Sequence, residues 1–127
     1  MGNRAVITTK AKEIGVYLHW NGGRDSVEGF LEYCKRAGFR GLDEDSYGFA
    51  RLVQVVANFF GAGGLSVGVA PFKSLDCDNG DNGVYIVKGW EIVGREFAPP
   101  VESKEYNLEE FVAQIGACQP KEEDRPS

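Results

Sequence analysis

The chain has 127 residues, 13.9 kDa and a formal charge of −5, with 43% hydrophobic and 26% charged residues. That size suits one domain with its own core, needing neither disulfide nor metal as a staple. A pI near 4.9 denies it the basic field on which sequence-independent nucleic-acid binding relies, so no direct nucleic-acid partner is expected.

Residues 4–9 are β-branched and predict a first strand. Residues 14–20 alternate, with Ile14, Val16, Leu18 and Trp20 on one face and Tyr17 and His19 on the other. Asp25, Ser26, Val27 and Glu28 resemble a capping box, and Val27, Phe30, Leu31 and Cys34 recur at the helical spacing i, i+3, i+4, i+7 until Gly38 ends the run. The acidic stretch 43–46 caps a second helix whose stripe is Phe49, Leu52, Val53, Val56 and Phe60, stopped by the glycines of 61–64. Residues 65–72 return as a strand with Leu65, Val67 and Val69 on one side, and the Asp-, Asn- and Gly-rich stretch 73–83 predicts a mobile hairpin loop.

Residues 84–88 and 90–97 resume strand character, as a hairpin or as one bent strand. Asn107 and Glu110 cap a last short helix carrying Leu108, Phe111, Val112 and Ile115, and residues 119–127 predict a flexible acidic tail beyond a domain spanning 1–118. The order β-β-α-α-β-β-β-α departs from the strict alternation of a doubly wound sheet. It predicts an α+β domain, a mainly antiparallel sheet with two to three helices packed on it.

Cys34, Cys77 and Cys118 are widely spaced and form no CxxC pair, and no apolar leader opens the chain, which predicts a reduced, cytoplasmic protein without a membrane span. Cys34 and Cys118 read as small apolar fillers on helices. Residues 64–68 spell G-x-S-x-G, but a strand follows Ser66 where the nucleophile elbow needs a helix, and the sole histidine lies upstream. The oxygen-rich run 76–83 lacks EF-hand spacing, and His19 with the cysteines has no zinc-ligand spacing. No catalytic residue, metal or cofactor is expected.

The turn 19–25 concentrates the chemistry. It holds the only histidine, a tryptophan, two glycines that let a backbone approach a ligand, and Arg24 at a helix start whose free N–H groups and dipole favour anions. The expected ligand site is Tyr17, His19, Trp20, Asn21, Gly22, Gly23 and Arg24, with Trp90 as a stacking wall. Against this stands a plainer reading: Trp20 and Trp90 in the core, Asn21-Gly22 as a turn, Asp25 as a cap.

Residues 15–34, 47–68 and 78–96 resemble small proteins of Firmicutes and their phages and mobile elements, over about residues 1–97. No activity travels with that likeness. It implies a setting in which small acidic single-domain proteins act as anti-defence factors. The expected function is a non-catalytic binding protein that sequesters a phosphate-bearing, nucleotide-type ligand, with a homodimer as one arrangement that would complete its pocket. The alternative is an acidic, anti-CRISPR-like inhibitor that mimics nucleic acid and covers a basic surface of a host defence protein with residues 76–81 and 102–110. A small hydrolase using His19 as base with Asp25 or Asp81 is a third reading without a motif.

Overall fold

The computed structural model describes residues 2–61, 66–103 and 105–120. Its elements follow the expected order: β1 (Ala5–Thr8), β2 (Ile14–Leu18), α1 (Arg24–Arg36), α2 (Ser46–Phe60), β3 (Val67–Pro71), β4 (Val84–Lys88), β5 (Glu91–Glu96) and α3 (Leu108–Ala117), with a short 3-10 turn at Phe72–Ser74. The expected strand start at Leu65, the glycine loop 62–64 and the tail from 121 lie outside the described residues.

One five-stranded sheet runs β3-β2-β1-β4-β5. The pairings β1–β2, β2–β3 and β4–β5 are antiparallel, whereas β1 and β4 run parallel, so the α+β class holds and the sheet is mixed. The parallel step arises because the chain leaves the β3 edge and crosses under β2 and β1 before entering β4. Residues 73–83 are therefore no hairpin loop. They lie on the back of the sheet, where Leu75 packs on Gly15 and Asp81 pairs with Arg4. Asn79, 3% exposed, staples the segment: its Oδ1 accepts from the Asp81 and Gly83 N–H groups, and its Nδ2 donates to the Asp76 and Gly83 carbonyls.

The core lies between the helices and the front of the sheet. Strand alternation turns Ala5, Ile7, Val16, Leu18, Tyr85 and Val87 to this side, against Val27, Phe30, Leu31 and Cys34 of α1 and Leu52, Val55 and Val56 of α2. All four apolar α1 positions expected from periodicity are buried. On α2, Leu52 and Val56 are buried, Phe49, Val53 and Phe60 pack at the rim, and Val55 joins them. Burial drives the Cys34 thiol up to about 12 and leaves it inert. Cys118 is no filler: it caps α3 and is exposed.

The capping is mixed. Asp45 accepts from Tyr47 N–H at 2.9 Å and Asn107 from Glu110 N–H at 3.0 Å, as their positions predict. α1 instead begins at Gly23 with no side-chain cap, and Asp25 sits within its first turn. Gln119 belongs to the folded body, because its side chain accepts from Asn58 and donates to the carbonyls of Val55 and Ile115.

Gly83 joins the crossing segment to β4 with φ +66°, and a Cβ there would stand 2.1 Å from the Glu96 carbonyl oxygen. Gly83→Ala is expected to cost about 1–3 kcal/mol in stability. A urea titration checks this; a midpoint equal to wild type would show that the β4–β5 junction yields freely.

Candidate functional site

The turn after β2 is shaped by the chain's own first residues. Asn3 N–H donates to the His19 carbonyl at 2.8 Å, and Gly22 N–H donates to the Asn3 carbonyl at 2.8 Å. A Cβ on Gly22 would lie 2.4 Å from that Asn3 oxygen and 2.7 Å from Ala5 Cβ. The close approach that glycine permits is thus made by residues 3–5 rather than left open for a ligand. On the inner side the Gly22 carbonyl accepts from the Tyr85 hydroxyl at 2.7 Å. Asn21 has φ +56° and donates from Nδ2 to Ser26 Oγ.

The eight expected site residues separate into two groups around this turn. Tyr17, His19 and Trp20 form a ladder: the Tyr17 hydroxyl meets His19 Nδ1 at 3.0 Å, and Trp20 stands edge-on to the imidazole with centroids 5.1 Å apart. Trp20 is 47% exposed, so it is not a core residue. Desolvation, the larger influence, raises the Tyr17 pKa, and the Asp81 carboxyl is held below its usual range by its hydrogen bond from Arg4. Carboxylates 76 and 81 add negative potential on this side of the sheet.

Arg24 lies with the other group. Its Nε donates to Glu28 Oε1 at 2.7 Å, one helical turn on, and that bond raises its pKa. The second Glu28 oxygen accepts from the Tyr106 hydroxyl. Desolvation first, then the Glu28 bond, push the Tyr106 phenol up to about 12. Arg24 shares a cleft with Trp90, Leu31 and Ile92, walled by Glu28, Glu32 and Glu91. Trp90 is buried, donates from Nε1 to the Phe39 carbonyl at 3.0 Å, and is a core residue. The anion expected at the α1 start meets competition from inside the chain, since Asp25 Oδ1 already accepts from Ser26 N–H at 2.8 Å.

A second constellation lies at the elbow between α1 and α2. Gly38, Phe39, Arg40, Tyr47 and Arg51 line a shallow recess of about 230 Å³, open to solvent. Tyr47 and Arg51 stand one turn apart on α2, which places both side chains on one face. The Arg40 guanidinium lies 5.2 Å from the centre of the Tyr47 ring and donates to Asp45 Oδ2 at 2.6 Å. Asp45 also caps α2, so one carboxylate fixes both the helix start and the Arg40 orientation. Arg51 donates to the neutral Gln54 amide oxygen at 2.8 Å, and it is the one arginine that faces no carboxylate among the described residues. Tyr47 is 54% exposed. The spacing of Tyr47 and Arg51 is visible in the sequence; the approach of Arg40 to that ring is not.

Among the described residues, no group of three or more His, Cys, Asp or Glu side chains could hold a metal ion, and no helix is long and apolar enough to cross a membrane. No family model, curated protein or solved structure matches this chain.

Proposed function

We propose that this chain is a non-catalytic binding protein for a phosphate-bearing, nucleotide-type ligand, and that the ligand enters the α1–α2 elbow rather than the turn after β2. The observation that carries this is Arg51. A guanidinium beside an exposed tyrosine and a second arginine, itself facing no carboxylate, supplies forked donors for a phosphate and a ring for a planar group. In the phage or mobile-element setting that we propose for it, the role of such a protein is to sequester a nucleotide signal of a host defence system.

The alternative, an acidic mimic of nucleic acid, has weaker support. Asp81, Glu102 and Glu109, which that reading needs as free charge, are engaged by Arg4, Arg95 and Arg36. The exposed carboxylates of Asp76, Asp78, Glu105 and Glu110 are what remain for it.

Isothermal titration against cyclic and ADP-ribose-type nucleotides tests the proposal. At least one ligand is expected to bind, and Arg51→Ala is expected to weaken it roughly 10–100-fold, the effect of losing a hydrogen bond to a charged group. Arg24→Ala is expected to leave affinity within a factor of about two, since the Arg24 guanidinium is engaged by Glu28. Silence across the panel, or a loss confined to Arg24→Ala, would overturn the assignment to the elbow.

A further inference from the structure

The sheet has two open edges, and they differ. β5 carries Glu91, Arg95 and Glu96, and its pairing with β4 is interrupted by an irregularity at Ile86/Val87. Charge and irregularity are the usual guards against a foreign strand. The opposite edge, β3, has neither. From Ser66 to Phe72 the sequence holds no charged residue, in a chain of net charge −5, and Pro71 at the strand's end is its sole guard.

The β2–β3 ladder shows which main-chain groups face outward. His19 N–H donates to the Ser66 carbonyl at 3.2 Å and Phe72 N–H to the Glu13 carbonyl at 2.9 Å, while the register pairs Gly15 with Ala70 and Tyr17 with Gly68. In an antiparallel ladder the bonded pairs alternate, so Ser66, Gly68, Ala70 and Phe72 turn their main-chain groups to β2. Val67 and Val69 therefore direct both N–H and C=O away from the sheet, and Pro71 directs a carbonyl alone. The Val69 side chain, on the helix side of the sheet opposite Val16, is 54% exposed, and Ile14 beside it is also exposed.

We infer that β3 pairs with β3 of a second copy of this chain, antiparallel, about a two-fold axis at Gly68. The outward groups prescribe this register. Val67 of one copy meets Val69 of the other, each pair exchanging two hydrogen bonds, and Gly68 faces Gly68. Among the described residues nothing lies within 4 Å of the position of a Cβ on Gly68, so none of them obstructs the approach there. On the helix side each exposed Val69 gains the partner's Val67 as a cross-strand neighbour, an apolar pair of the kind that stabilises sheets. Charge selects the occupant. Two copies of an anionic chain repel across most of their surfaces, and this uncharged strip is where self-contact meets no such repulsion. The result is a continuous ten-stranded sheet with an isologous interface. This inference is independent of the ligand assigned to the elbow.

Sedimentation equilibrium of the full chain over a wide concentration range tests it. The expected result is a monomer–dimer equilibrium ending at twice 13.9 kDa. Val69→Lys places a charge on the edge, and Val69→Pro removes one outward N–H that takes no part in the β2 ladder. Both are expected to sediment as folded monomers by circular dichroism, whereas Arg51→Ala is expected to dimerise like wild type. A wild-type chain that stays monomeric throughout, assembles beyond a dimer, or dimerises equally well as Val69→Lys would overturn the inference.

Discussion

Phe30→Ala is expected to lower the free energy of unfolding by about 3–5 kcal/mol. Phe30 is 0% exposed on the inner face of α1, and its ring meets those of Phe59, Phe60 and Phe111 at centroid distances of 5.5, 6.3 and 5.7 Å, all edge-to-face. Truncation removes the apolar area of one ring and the aromatic geometry of three, and it leaves a cavity where α1, α2 and α3 converge. A small domain has about 5–15 kcal/mol in all, so this change brings the protein close to its threshold. Urea denaturation followed by circular dichroism checks the value; Phe30→Leu, which refills most of the volume, is expected to lose markedly less. Equal losses in the two variants would show that aromatic contact, rather than volume, holds this junction.

Arg95→Ala is expected to cost about 3 kcal/mol or more, through a different mechanism. Arg95 and Glu102 form a forked pair with side chains 13% and 17% exposed. The same guanidinium donates to the Val84 and Asn82 carbonyls and stacks 3.8 Å from the centre of the Tyr85 ring. Tyr85 in turn holds the Gly22 carbonyl, so one arginine links the turn after β2, the β4–β5 pair and the segment leading to α3. Removing it strands a mostly buried carboxylate and two carbonyl acceptors at once. Arg95→Lys keeps the charge and loses the planar fork, and is expected to restore only part of the stability. The double variant Arg95→Ala/Glu102→Ala separates the effects: recovery relative to Arg95→Ala measures the stranded charge, and no recovery would assign the cost to the carbonyls and the Tyr85 ring.

The expected site at the turn was legible as a concentration of polar and aromatic residues, and less so as an arrangement. By local pattern Gly22 offers room for a ligand, whereas its neighbour is Asn3, nineteen positions earlier and invisible to any such pattern. The helix start makes Arg24 look like an available cation, yet Glu28 stands four residues on at helical spacing, and that signal of an intrahelical pair is present in the sequence. Tyr47 and Arg51 carry the same i, i+4 spacing at the elbow. Their significance depends on Arg40 folding back onto Tyr47 through Asp45, which is a property of the loop's path.

The sequence by itself determined the elements and their order, most of the buried stripe of α1 and the caps on α2 and α3, because periodicity and capping depend on residues within a turn or two of one another. The tertiary structure alone decided that β4 runs parallel to β1, that residues 73–83 cross the back of the sheet, and that β3 is left as an unguarded edge. It also decided which polar groups are already satisfied from within. Each of these turns on contacts between residues far apart in the chain, and the free energy of such contacts leaves no periodic trace in the residues that make them.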